Sequence, residues 1–409
     1  MTILGRIHVE RFKSLYDVEV ELGHVNVFIG ANGSGKSNLL EAIGVIGAAA
    51  FGSVDDQALL RRGVRPGVPR IYKSAFPRSP KDPSIRITAM GDGTGARRAE
   101  YFIGISNQGK APRPYWTFMN ERIEAGEGRD RGLASRSPKH GSAKVFGEPV
   151  RDERMRSLAI QVRANLKASQ PIRDLLDLLN DYAIFSPVTP VLRGIAPDTA
   201  PRVPVGLFGG ALPEAVDALA SATRKRFRER ALELIDWATD FDVGPPSKNF
   251  IASSVPTMRN VLRFRDSYMK KKAETLSAYD ASEGALYVLH LLVLAMHSQS
   301  PRTFAVDNFD QALNPIAARA LVTVFCDEIL ESGRQALLTT HNPLVLDGLP
   351  LDDERVRLFR VERQKDGKTD VKRVPVKNLK RLKEKHGPNA VSRLWTEGRI
   401  GGLPNVKAV

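Results

Sequence analysis

The chain has 409 residues, of which 42% are hydrophobic and 26% charged, and carries a net charge of +15. These proportions exclude a disordered or fibrous chain and leave room for two or three average domains, or one large α/β domain with an insertion. The single cysteine, Cys326, excludes an internal disulfide and a cysteine-built zinc site, and reads as a buried thiol.

No apolar run reaches the roughly 18 residues of a membrane span. The N-terminus MTILGRIHVERF lacks an apolar signal core, so a cytoplasmic protein without membrane contact is expected. The basic surplus fits a solvated surface as well as it fits contact with a polyanion.

In chain order, residues 3–12 and 17–29 predict strands rich in β-branched residues, followed by a Gly-rich loop and a helix from Ser37. Residues 84–90 and 99–106 alternate apolar and polar and predict further strands. Residues 124–148 are rich in Gly, Ser and charge and read as a mobile loop. Helical patterns at 152–183 and 213–238 flank a Pro/Gly-rich crossing. Strand and helix signals then return: RNVLRF, a helix from 282, RTFAVD, a helix from 315, QALLTT and VRLFRVER. The helix signal at 285–296, ALYVLHLLVLAM, has the length of a buried helix. No internal repeat and no long heptad run appears.

The segment GANGSGKSN, residues 30–38, fits G-x-x-x-x-G-K-[ST] between a strand and a helix. In such a loop Gly30, Gly33 and Gly35 let the backbone curl, so that the N–H groups from Gly30 through Ala31, Asn32, Ser34 and on to Asn38 converge on phosphate oxygens. Lys36 reaches the β- and γ-phosphates, and Ser37 offers its hydroxyl to Mg²⁺. No N-K-x-D guanine-reading motif is present, so ATP is the expected nucleotide.

Three later stretches follow in a telling order. LSAYDASEGALYVL (276–289) places Ser282, Glu283 and Gly284 at a helix start, where Ser282 can cap. Asp307 ends the apolar strand RTFAV, placed to assist Mg²⁺. LLTTHNP (337–343) brings His341 to another strand end. Singly each is a helix cap, a turn aspartate and an ordinary histidine; together, 25 and then 34 residues apart, they form a pattern.

With these stretches the chain resembles the ABC-type ATPase heads of the SMC/RecF/OLD group, and most nearly the stand-alone RecF-like AAA family ATPases of bacterial defence and DNA repair. IHVERFKSL, FIGANGSGKSNLLEAI, FAVDNFDQALNP and the C-terminal IGGLPN carry the resemblance; residues 61–250 share little of it. It implies an α/β P-loop head with an antiparallel β flank and a mainly helical insertion, without a long coiled coil. The expected division is an N-terminal lobe with Walker A over 1–123, a loop and helical insertion over 124–250, a C-terminal lobe over 251–375 and a basic tail over 376–409.

The resemblance further implies a head-to-tail dimer, or a higher oligomer, that buries ATP and Mg²⁺. Ser282 and Gly284 would meet the γ-phosphate in trans, His341 would act as the switch histidine, and Lys13 and Ser14 of RFKSL would touch nucleotide. Gln57 is a weak candidate for a metal-linked Q-loop glutamine, with a plain surface glutamine as the alternative. Where the family places a catalytic glutamate this chain has Asn308, whose amide orients a water but cannot take its proton. The general-base share, about 10²–10⁴-fold, should therefore shrink. Asp310, or Glu283 arriving in trans, could supply a carboxylate instead.

The basic segments 224–230, 270–272 and 377–385 read either as solvated faces or as a DNA-backbone surface with little sequence preference. No nuclease signature accompanies the head, so any cleavage would fall to a separate effector. The expected function is a slow ATPase switch acting on DNA or on that effector. The alternative is a nucleotide-sensing scaffold with little turnover. A transporter ATPase fits poorly, given the loose ASEG signature and the lack of a clear Q-loop region.

Overall fold

A computed structural model describes residues 2–77, 84–107, 115–126, 132–138, 142–246, 260–375 and 390–402. Its centre is a six-stranded sheet ordered Ala183–Phe185, Thr303–Val306, Gln335–Thr340, Val25–Ile29, Val356–Arg363 and Thr369–Arg373. The first five strands run parallel and the last is antiparallel. Both faces are covered, which explains why strands such as Val25–Ile29 are buried at every position rather than at alternate ones. Phe28, Leu337 and Phe359 face one apolar core, with helices Lys36–Phe51 and Gln170–Asp181. Val27, Leu338 and Leu358 face the other, with helices Glu283–Met296 and Pro315–Ser332.

The expected strand 17–29 is two strands in two sheets. Leu15–Glu21 pairs antiparallel with Leu4–Phe12, while Val25–Ile29 enters the parallel core. Buried Gln335 staples the two sheets. Its Nε2 donates to the Leu4 carbonyl at 2.8 Å and the Gly23 carbonyl at 2.7 Å, and its Oε1 accepts from the Leu4 N–H and the Thr303 hydroxyl, both at 3.0 Å. Every polar atom of that buried amide has a partner, which is the condition for burying one cheaply.

The antiparallel flank is an eight-stranded sheet, larger than its two foreseen segments. Strand Trp116–Ala125 runs past residue 123, where the sequence reading divides lobe from insertion. Within 124–148 the described residues are not a loop. Gly132–Arg136 and Ala143–Val145 continue the sheet, which ends on Glu148–Val150. Phe146 and Gly147 both have positive φ, 49° and 84°, which suits a two-residue hairpin turn between the last two strands. Small and charged residues hid this period-2 pattern: Ala134, Ala143 and Val145 are buried, and Arg136 is buried against Asp152 at 3.1 Å.

The helical expectation holds at Ala159–Ala164, Gln170–Asp181, Leu212–Asp217 and Ser221–Leu234. The run is interrupted by Ala183–Phe185, whose buried AIF triplet belongs to the core sheet. A small antiparallel sheet of Ala238–Gly244, Val261–Asp266 and Thr275–Ser277 precedes the Ser282 helix. The longest helix among the described residues has 18 residues, so no long coiled coil is present there, and no helix is long and apolar enough to cross a membrane. Cys326 is buried and free, with its thiol pushed up by burial.

Candidate functional site

Three adjacent parallel strands deliver the site. Val25–Ile29 ends in the Gly-rich loop, Gln335–Thr340 in His341 and Thr303–Val306 in Asp307, so all three arrive at one carboxyl edge. That edge is where open α/β sheets bind ligands. The loop passes so close to its neighbours that side chains are excluded. A Cβ on Gly30 would lie 2.1 Å from the Val361 carbonyl oxygen, and one on Gly35, at φ 112°, 2.3 Å from Thr369 Oγ1.

Lys36 is buried, and its ammonium donates to the carbonyls of Gly30 at 2.8 Å and Ala31 at 3.0 Å. Ser37 Oγ donates to Asp307 Oδ2 at 2.8 Å, while Thr339 Oγ1 donates to Asp307 Oδ1 at 2.5 Å. The cavity formed here measures about 230 Å³ and is lined by residues 32–38 with Arg65, Asn308 and His341. Ser34 Oγ is buried there with no partner among the described residues. Converging backbone N–H groups, an ammonium and an unpartnered hydroxyl suit a polyphosphate.

Ser37 and Asp307 are hard oxygen donors of the kind Mg²⁺ takes beside phosphate. No group of three or more acidic, His or Cys side chains assembles among the described residues, so such an ion would rely on these two and on the nucleotide's own oxygens.

Burial lowers the Lys36 pKa to about 8, against the pull of Asp307 and Asp310. Anion binding needs the protonated form, so ATP affinity is expected to fall as pH rises through about 8. The Kd should climb by up to about tenfold per pH unit above that point. Titrating a fluorescent ATP analogue between pH 7 and 9.5 measures this, and a flat profile would contradict it. His341 is held below the usual imidazole range by burial and then by Lys36, and Asp310 and Asp307 oppose that shift.

Of the two in-chain candidates for handling the water, Asn308 lines the cavity and Asp310 does not. Asp310 Oδ1 accepts from Thr340 Oγ1 at 2.6 Å. Asn308 has φ 57°, a left-handed conformation that Asn tolerates better than most residues. Its N–H donates to Thr339 Oγ1 at 2.8 Å.

Ser14 sits behind the loop, with Thr369 Oγ1 2.7 Å from both its hydroxyl and the Ser34 carbonyl, and with Asn38 Nδ2 donating to it at 2.8 Å. Lys13, also at positive φ, is engaged by Glu41. Ser282 caps its helix by accepting from the Ala285 N–H at 3.2 Å, and Glu283 is bound by Thr189. Ser282, Glu283 and Gly284 do not line the phosphate-loop cavity of their own chain.

Gln57 is not brought to the site. It is exposed on the short helix Asp56–Leu60, whose start is fixed by Asp55 accepting from the Ala58 N–H. Residue reading missed Arg65, which donates from Nη2 to Asn38 Oδ1 at 3.1 Å and lines the cavity. Nothing in RRGVRPG marks one arginine over its neighbours; only the turn back to the loop helix does.

The basic segment 224–230 is largely committed within the molecule. Arg226 pairs with Glu328 at 2.9 Å and with Glu331, Arg228 with Asp240, and Arg230 with Glu328 at 3.4 Å. Lys270 to Lys272 are exposed, and segment 377–385 lies outside the described residues.

Comparison with known proteins decides the lineage. The family described as "AAA domain, putative AbiEii toxin, Type IV TA system" matches residues 25–347, well over half of the chain. The chain belongs to this family. Its fold is that of the SMC-type ATPase heads. An SmcHead bound to the C-winged helix domain of ScpA is similar over 93% of this chain and 99% of its own, with a TM-score of 0.53 and 13% identity. A Pyrococcus furiosus Smc head with extended coiled coil, bound to the C-terminal domain of ScpA, covers 94% and 99%, with a TM-score of 0.50 and 12% identity. At such identities the likeness concerns the fold. The DNA replication and repair protein RecF of Glaesserella parasuis is 53% identical over 45 residues, which is 11% of this chain and 12% of that protein.

Proposed function

We propose that this ATPase head binds ATP with Mg²⁺ in the phosphate-loop cavity, pairs head to tail with a second copy, and hydrolyses ATP slowly to gate an action on DNA or on a separate effector. The observation that carries this reading is the meeting of Lys36, Ser37–Asp307, Asn308 and His341 at one sheet edge. Lys36 holds the β- and γ-phosphates and His341 contacts the γ-phosphate. Asn308 orients the attacking water without accepting its proton. Bound Mg²⁺, held by Ser37 and assisted by Asp307, neutralises charge on the phosphates. Lys13 and Ser14 lie on the side of an adjoining cavity of about 560 Å³, which gives the adenosine a place.

Ser282 and Gly284 of a second copy complete the site. Their turn is exposed at Ser282 and Glu283, and Val188, next to the Thr189 that binds Glu283, is 40% exposed. The Ala312 carbonyl passes close to Gly284, where a Cβ would lie 3.2 Å from it. The family description and the short RecF match favour defence or DNA repair as the setting.

The alternative, a nucleotide-sensing scaffold that holds a nuclease or toxin with little turnover, is favoured by Asn308. Steady-state ATP turnover with and without duplex DNA, alongside light-scattering mass with ATP, separates the two. The switch reading expects dimers with ATP and slow turnover. Dimers without turnover favour the scaffold, and monomers throughout would sink the head-to-tail model.

A further inference from the structure

We propose that Glu41 is a positioning residue of the nucleotide site, holding Arg65 and Lys13 so that their cationic heads face the bound nucleotide. This rests on reading the phosphate-loop cavity as an ATP site. Glu41 lies on the helix that opens at Lys36, and only 2% of its side chain is exposed. Its Oε1 accepts from the Arg65 Nε at 2.5 Å and from the Arg65 main-chain N–H at 3.2 Å. Its Oε2 accepts from Arg65 Nη2 at 3.2 Å and from the Lys13 ammonium. One buried carboxylate therefore fixes both the backbone and the guanidinium of Arg65 and takes the second cation as well.

Burial alone would push the Glu41 carboxyl up, yet the Arg65 hydrogen bond and the Lys13 charge outweigh it and leave it below its ordinary range. The carboxylate thus stays ionised, and the trio keeps a net positive charge. Asn38, three residues earlier on the same helix face, binds the Arg65 Nη2 and completes the orientation.

Arg65 is 62% exposed at its side chain and stands where the two cavities meet, lining both. Lys13 lines the larger one, its ammonium 4.9 Å from the Tyr72 ring centroid. A buried ion pair is a weak source of stability. The arrangement is better explained by where it puts two cations than by what it adds to folding.

The sign of the charge effect gives the test its edge. Glu41→Gln removes a negative charge beside a polyanion site, which by Coulomb attraction alone would tighten ATP. Lost positioning weakens it instead. For the full chain, E41Q is expected to raise the Kd of a fluorescent ATP analogue and the KM about tenfold, with kcat changing less than about threefold. In an Arg65→Ala background E41Q should add less than in the full chain, since only the Lys13 contact is left for it to remove.

Unchanged or tighter ATP binding by E41Q, or an equal effect with and without Arg65, overturns the proposal. If E41Q does not fold, Arg65→Lys is read instead, because it keeps the charge and loses the fork; an unchanged KM there overturns the proposal as well. Lys36→Ala serves as the reference. If it binds ATP normally the cavity assignment has failed, whereas loss of binding in K36A with no effect in E41Q defeats this inference alone.

Discussion

Lys36→Ala is expected to raise the Kd for ATP by about 10–100-fold and to remove measurable turnover, while leaving the melting temperature nearly unchanged. The binding loss follows from the charge-assisted bonds its ammonium makes to phosphate, about 1.5–3 kcal/mol in such settings. The small stability effect follows from two opposing terms. Burial lowers the Lys36 pKa to about 8, so the folded protein disfavours its charged form and truncation relieves that cost. Truncation also leaves the Gly30 and Ala31 carbonyls without their donor. Equilibrium binding and thermal unfolding of the same preparation check both parts. Normal ATP binding would remove the site from the loop, and a large drop in melting temperature would show that Lys36 is structural.

Asn308→Glu is expected to accelerate hydrolysis by at least about tenfold and to shorten the life of the ATP-bound dimer. Two effects compete. A carboxylate restores a general base, worth about 10²–10⁴-fold. Against it stands the backbone: residue 308 has φ 57°, and a residue less suited than Asn to that conformation costs roughly 1–2 kcal/mol there. That cost is smaller than the gain, so the chemistry wins. The anchoring of the turn supports this, because the Asn308 N–H is held by Thr339, which also binds Asp307. Asn308→Gln, with the same added length and no base, should not accelerate. Single-turnover rates for the three proteins decide it, and equal rates for Glu and Asn would show that position 308 does not handle the water.

The phosphate loop was legible from residues 30–38 because its chemistry is local: the glycines, the lysine and the helix start all lie within nine positions. The buried helix Glu283–Met296 was equally plain, since a segment apolar all round can only sit inside. The strands at 132–150 were not legible. Their inward positions hold Ala134, Arg136 and Ala143, small or charged side chains that carry no hydrophobic period and acquire partners only when the sheet forms. The triplet Ala183–Phe185 was lost at the end of a helical pattern, where the Pro/Gly-rich crossing begins, because three residues are too few to show a period of two.

For the site, the sequence alone carried the phosphate-loop pattern of residues 30–38 and set Asn308 directly after the strand-ending Asp307. The tertiary structure decided the rest. It turned Asn308 rather than Asp310 toward the cavity, left Gln57 on an exposed helix, tied up the arginines of 224–230 in ion pairs, and folded Arg65 back onto Asn38 and Glu41. The physical reason is range. Loop and cap chemistry acts between neighbours in the chain, whereas the burial of one carboxylate and its choice of cations depend on segments that meet only across the folded sheet.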